Sequence, residues 1–458
     1  MAGNVIFVLQ IQELQSATTE KPELERGLSL VQATAINMID MVGIGPFVTL
    51  PLIVAAMQGS LSMLAWILGA LLAYMDGFVW AEMGAKWPEA GGSYVFLQKL
   101  FGGKLGRLMA FLFIWQTTIQ APLVVASGAI GFSQYLHYLV PLTDVQKKMV
   151  SGALVLLLTV LLYRNIRNIG KLSVIFGIIT GGTILWLILS GFGHYSATIL
   201  PDGGTGNWAS IPFFIALGQS SQKAVYSYLG YYNVCHLGGE IKNPSKNIPR
   251  AIFISITGIA ILYLGMQFTV LHVLPWDKVA ASDFIVSLYF EHIYNHTVAQ
   301  IATVLVLCIA IASLFSVILG YSRVPYSAAK NGDFFPAFAR LHPKHHFPHV
   351  SLLALCGLAF VFSLLFKMKD VITAIVVMRI LIQFISQAIG VIGWRIRRRA
   401  EDRPFKMPLF PIPAIISIII WLFIFLSSEL RFIGFALGII ATGIVLYFVK
   451  EQLVKRPV

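Results

Sequence analysis

Along most of this chain the apolar positions follow neither a period of 3.6 nor an alternation of two. Whole runs are apolar, and short clusters of charge, glycine and proline punctuate them. Runs of about 20 such residues are long enough to cross a bilayer as helices. Placed by hydropathy and by that punctuation, twelve runs are predicted: 30–57, 60–83, 105–138, 149–163, 172–193, 209–239, 251–273, 298–321, 351–366, 371–394, 408–428 and 432–449. Short connections use up the remaining length and leave no room for a sizeable extramembrane domain.

Composition agrees. Of 458 residues 57% are hydrophobic and only 12% charged, against roughly 25% charged in soluble domains, and the mean hydropathy is +0.79. A soluble enzyme is excluded. The net charge of +13 does not imply nucleic acid, because the basic residues sit between apolar runs and form no basic face on a folded core. They report topology instead. With both termini in the cytoplasm, the inside segments hold twenty-five Lys and Arg and the outside segments six, with Lys223 and Arg379 inside spans. The positive-inside rule therefore places both termini in the cytoplasm of a multi-pass protein of the cell membrane. The acidic stretch Glu13, Glu20, Glu23 and Glu25, without a basic n-region, does not read as a signal peptide. Cys235, Cys308 and Cys356 fall in or beside apolar runs and imply no disulfide framework. The triplet Asn295-His296-Thr297 is formally a glycosylation sequon.

Two spans are interrupted. In span one, INMIDMVGIGPFVTLPLIV, two glycines and Pro46 fall near mid-membrane. A break is predicted at 43–45, followed by a half-helix whose free N–H groups and positive dipole end form an anion site. Span six, FFIALGQSSQKAVYSYLGYYNVCHLGGE, is too long for one straight crossing, polar in its first half, and has Gly230 among tyrosines. In an architecture of two five-helix halves, the first and sixth helices occupy corresponding positions. Paired interruptions at such positions are the sequence pointer to a transporter's substrate site.

Four stretches then resemble the amino acid–polyamine–organocation permeases: VGIGPF, AEMGAKWPEAGGSYVFLQKLFGGKLG, GGEIKNPSKNIPRAI and YSRVPYSAAKNGDFFPAFARLHP. Each lies in the loop or span where that family carries it. The resemblance implies an all-α integral membrane protein of LeuT-type fold: twelve transmembrane helices, a 5+5 inverted repeat plus two peripheral helices, with helices 1 and 6 discontinuous. The implied layout is a cytoplasmic segment 1–29, repeats 30–193 and 209–394, the peripheral pair 408–449 and a cytoplasmic tail 450–458. It further implies a secondary active transporter, symporter or exchanger, that moves amino acids by alternating access. Gly43, Ile44 and Gly45 match the loop that holds the substrate carboxylate. Tyr226, Ser227, Tyr228, Leu229 and Gly230 match the segment whose carbonyls take the α-amino group and whose aromatic closes the outer side.

The chain departs from that pattern twice. Where many proton-coupled members carry a lysine in span five, this chain has Gly181, Gly182 or Thr183. It also resembles plant-type polyamine permeases at GPF and YRNIRNIG, yet YSYLGYYNV lacks the acidic group those use. A polyamine or other organic-cation permease is thus the disfavoured alternative.

Asp40 lies near mid-depth, three residues before Gly43, where a carboxylate is expensive and a functional role is the default. Three roles are open: binding Na⁺ with Ser313 and Ser316, carrying a coupling H⁺, or neutralising a cationic substrate. Capping the broken helix, or pairing with Lys223 or Arg379, is the bland reading. Lys223 and Arg379, the latter followed by Gln383 and Gln387 on one helix face, are gate or counter-ion candidates. Glu82 and Glu240 read as inner-gate salt bridges or helix ends. His342, His345, His346 and His349 lack helical metal-ligand spacing and read as a solvated loop, so no metal and no cofactor are implied. A membrane enzyme would need H-E-x-x-H, G-x-S-x-G or paired carboxylates at one depth, and a channel would need a filter-like repeat; the spans carry none of these. The expected partners are a small amino acid and the lipid bilayer, and the expected assembly is a monomer or a weak homodimer.

Overall fold

A computed structural model describes residues 24, 26–163, 166–195 and 210–454. The terminal residues 1–23 and 455–458 of the expected layout, Glu25 and Arg164 lie outside them. The elements are α1 (Leu30–Met41), α2 (Gly45–Met57), α3 (Ser62–Lys86), α4 (Ser93–Phe101), α5 (Gly103–Leu139), α6 (Asp144–Leu162), α7 (Ile166–Gly191), α8 (Ile211–Tyr228) and α9 (Asn233–His236). They continue with α10 (Pro244–Val273), α11 (His296–Lys330), α12 (His349–Leu365), α13 (Met368–Arg379), α14 (Ser386–Arg397), α15 (Ile412–Leu426) and α16 (Leu430–Val454). Two short helices, Trp276–Ala280 and Ile285–Ile293, sit between α10 and α11.

Among the described residues eight helices are long and apolar enough to cross a membrane, and the pair α1–α2, bent by 42°, makes a ninth. The apolar helices α12 and α15 are shorter, and α8 carries the polar run Gln219 to Lys223. Large apolar side chains such as Val160, Ile178, Leu426 and Val445 stand exposed on the outer surface, as lipid contact requires, because no hydrophobic effect drives them inward there.

Several boundaries differ from the sequence expectation for identifiable reasons. Span one stops at Met41 and resumes at Gly45, so the break is 42–44 and Gly45-Pro46 opens the new helix, where proline's missing N–H costs nothing. Span four starts early at Asp144, because Thr143 and Gln146 form a reciprocal capping box. Span eight runs on to Lys330, through Pro325. This continuation carries Arg323 into the interior, where its Nε lies 2.7 Å from Glu240 Oε1. Span ten is not uniform: a π-helical turn, Ile380–Ile385, separates α13 from α14.

The half-helices pair crosswise. α2 packs on α8, and α1 on α9. α10 lies against both α1 and α3, while α5 packs along α11. These helices surround the two breaks and make the scaffold that positions the site.

Candidate functional site

Breaking a helix inside the membrane strands backbone groups that lipid cannot satisfy, and this chain answers with polar side chains from neighbouring helices. The Tyr263 hydroxyl donates to the carbonyls of Met41 (2.8 Å) and Ser227 (3.1 Å), tying the end of α1 to the end of α8. Asn37 Nδ2 donates to Tyr231 O at 2.6 Å while its Oδ1 accepts from Val234 N at 2.9 Å, which pins the unwound segment 229–232. Asn233 donates to Ser316 Oγ at 2.9 Å, and the Ser316 hydroxyl donates to Ile36 O at 2.8 Å. Ser313 Oγ reaches Asp40 O at 3.4 Å, and Thr49 and Ser227 share a hydrogen bond of 2.9 Å between α2 and α8. The N–H groups of Gly43, Ile44 and Gly45 bond no other described residue.

Glycine is required where the two breaks touch. Gly230 has φ +122°, and a β-carbon there would lie 2.8 Å from Met41 N and 2.9 Å from Asp40 Cγ. At Gly43 it would lie 2.5 Å from Ser313 Oγ. A side chain at Gly230 would push the two breaks apart, and one at Gly43 would collide with Ser313 of α11.

The result is a buried cavity of ≈ 50 Å³ walled by Asp40, Gly43, Ile44 and Gly45 from the first break, Tyr226, Leu229, Gly230 and Tyr232 from the second, Val124 and Gly128 of α5, Ser313 and Tyr321 of α11, and Ile375 and Arg379 of α13. The Tyr226 ring lies over Gly45, 3.1 Å from where its β-carbon would be, and its hydroxyl meets Ser127 Oγ at 2.9 Å. Arg379 is 1% exposed. Its guanidinium sits 5.0 Å from the Tyr232 ring centre, 5.5 Å from Tyr321 and 5.6 Å from Phe384, and Nε donates to Gln383 Oε1 at 2.7 Å. The π turn that follows Arg379 is a feature often found at functional sites.

Above the cavity opens a vestibule of ≈ 820 Å³, lined by ends of α2, α5, α6, α8 and α13 and by the α15–α16 turn. One helical turn of α13, from Ile375 to Ile372, and one of α8, from Tyr226 to Lys223, separate the two spaces. The opposite side is closed. Leu28 and Ile241 form a parallel bridge, Ala90 pairs with Leu237, the Arg323–Glu240 pair is buried, and Glu82 accepts from Arg395 (3.3 Å) and Met407 N (2.8 Å).

The expected site residues thus fall into three groups. Asp40, Gly43, Ile44, Gly45, Tyr226, Gly230, Ser313 and Arg379 come together around the cavity. Ser227, Ser316 and Gln383 do not line it: Gln383 is bonded to the wall residue Arg379, while Ser227 bonds Thr49 and Ser316 bonds Asn233. Tyr228 and Lys223 point elsewhere. The Tyr228 ring packs edge-on to Trp66 and Tyr263 and against Gly69, because in a helix successive side chains diverge and Tyr226 already takes the inward direction. Lys223 lines the vestibule and donates to Gln219 O at 3.2 Å, so Arg379 and not Lys223 shares the space of Asp40. The sequence reading missed Asn37, Asn233, Tyr232, Tyr321 and Tyr263. The two asparagines inside apolar spans were the available signal, since each unpaired amide there would be costly. Among the described residues no group of three or more His, Cys, Asp or Glu is placed to hold a metal ion.

Comparison with known proteins bears on this geometry. The amino acid permease family profile matches residues 28–449. The chain is 27% identical over 463 residues to the Asc-type amino acid transporter 1 of Mus musculus, covering 96% of this chain and 84% of that one. It is 24% identical to the methylthioribose transporter of Bacillus subtilis, over 96% of each chain. It is also 24% identical to the branched-chain amino acid permease of the same organism, over 99% of this chain and 98% of that one. With two facing broken helices, a cavity between them and a family match over almost its whole length, the chain belongs to the amino acid permease family of the amino acid–polyamine–organocation superfamily.

Proposed function

We propose that this protein is a secondary active transporter that carries amino acids across the cell membrane by alternating access, with both termini in the cytoplasm. The observation that carries the reading is the convergence of unbonded N–H groups at Gly43 to Gly45, the unwound backbone around Gly230 and the Asp40 carboxylate on one buried cavity. A zwitterion needs an anion site and an acceptor-rich site a few ångströms apart, and two opposed half-helices supply both. We read the chain as twelve crossings in a LeuT-type arrangement, with repeats over 30–193 and 209–394; the crosswise packing of α2 on α8 and α1 on α9 supports that symmetry. The vestibule on one side and the bonded closure on the other fit a conformation entered from the side opposite the termini.

Coupling is assigned to Asp40 with Ser313 and Ser316, through H⁺ or Na⁺, and the working unit to a monomer or weak homodimer. The polyamine alternative is less well supported, since Arg379 places a cation in the same cavity as Asp40. Purified protein in liposomes loaded with unlabelled amino acids should exchange labelled amino acid from outside, with no product of altered mass. Absence of exchange for every amino acid, with exchange of a diamine instead, would overturn the reading in favour of the alternative.

A further inference from the structure

Arg379 has more hydrogen-bonding capacity than this structure uses. A guanidinium carries five donors in a planar fork. Here Nε is taken by Gln383, three aromatic faces surround the group, and Nη2 has no partner among the described residues. No carboxylate of a described residue comes within 4.0 Å, the ion-pair distance. A buried cation with no carboxylate in contact is the expensive case; its side chain forms part of the substrate cavity wall, on which Asp40 is the other charged group.

The cavity therefore presents three charge-selective places. The N–H groups at Gly43 to Gly45 select an anion, Asp40 and the unwound carbonyls select a cation, and Arg379 selects a second anion. A neutral amino acid fills the first two and, with its α-amino group engaging Asp40, leaves Arg379 without an anion of its own. A lysine or a diamine would set a cation against it. An amino acid with an acidic side chain fills all three, and the fork of Arg379 matches a carboxylate with two parallel hydrogen bonds. The vestibule carries the same bias independently. Its wall has five basic residues against three carboxylates, and Lys148, Lys223 and Lys367 stand without an ion pair among the described residues. An excess of positive charge in a concave mouth concentrates anions.

We propose that the transported amino acid carries an acidic side chain and that Arg379 binds that side-chain anion. This inference rests on the amino acid permease reading and deepens it. The test compares aspartate and glutamate with their near-isosteric amides, asparagine and glutamine, as competitors of exchange in proteoliposomes and as stabilisers of the full-length protein in a thermal-shift assay. Wild type should prefer acid over amide by about tenfold or more, the scale of one charged hydrogen bond lost. Arg379→Gln should abolish that preference, and Arg379→Lys should restore part of it. If wild type favours the amides or treats both alike, the inference fails while the permease reading stands; if no amino acid competes or stabilises, the permease reading itself fails. The wild-type ratio alone decides the matter should the Arg379 variants not fold.

Discussion

Gly230→Ala tests whether the two broken helices must touch for the site to close. The added β-carbon would meet Met41 N at 2.8 Å and the Asp40 carbonyl carbon at 2.9 Å. Both are backbone atoms, so neither can swing aside. Ordinary contact needs about 3.4–4.0 Å, so α1 and the unwound segment would have to separate by roughly half an ångström or more. In addition φ is +122°, where a residue with a β-carbon pays about 1–3 kcal/mol. Taking about 2 kcal/mol in total against the closed arrangement, its population relative to open ones falls about thirtyfold, since 1.4 kcal/mol is a factor of ten. Exchange in proteoliposomes should fall by that order, and stabilisation by substrate in a thermal-shift assay should shrink with it, while the detergent-solubilised protein stays monodisperse. Gly181→Ala is the matched control. That glycine has ordinary helical backbone and nothing within 4 Å of a β-carbon, and alanine favours helix by about 1 kcal/mol, so activity should be unchanged. Exchange by Gly230→Ala within twofold of wild type would show that the contact between the breaks is not part of the working cycle.

Tyr226→Ala should release substrate faster and Tyr226→Phe should be mild, because the ring covers Gly45 while the hydroxyl bonds Ser127; equal exchange by alanine and wild type removes the gate from this position. Tyr263→Phe strands the carbonyls of Met41 and Ser227, at about 1–3 kcal/mol, and should lower the thermal midpoint without altering which amino acids compete. Arg323→Gln leaves Glu240 buried and unpaired, at about 3–5 kcal/mol, whereas the double variant with Glu240→Gln should recover much of that loss in a thermal double-mutant cycle; additive losses would refute the pairing as a unit. Asp40→Asn should lose gradient-driven accumulation yet keep exchange if Asp40 carries the coupling charge, and unchanged gradient dependence would leave it the role of a cap on the broken helix.

The class and the outline of this protein were legible in its amino-acid order. Apolar runs of membrane-crossing length have one physical reading, because backbone polar groups in lipid must be bonded within the segment. Gly43, Gly45 and Pro46 announced the first break, since those residues withdraw side chains and a donor from a helix, and Gly230 announced the second. Each of these signals is local. Packing settles a non-local matter: which side chains reach the groups the breaks strand. That Asn37 serves the segment around Tyr231, that Tyr263 joins Met41 to Ser227, and that Arg323 pairs with Glu240 all depend on segments between 36 and 222 residues apart in sequence being packed side by side. The same holds within one motif. Tyr226 and Tyr228 are equivalent in composition, but two residues along a helix turn a side chain by about 200°, and so one covers the cavity and the other fills the core beside Trp66. Lys223 and Arg379 were equal candidates for the company of Asp40 until the packing of α13 on α5 and α8 set one in the vestibule and the other in the cavity wall. Hydropathy places residues at a depth in the membrane; only helix rotation and packing decide what each one faces.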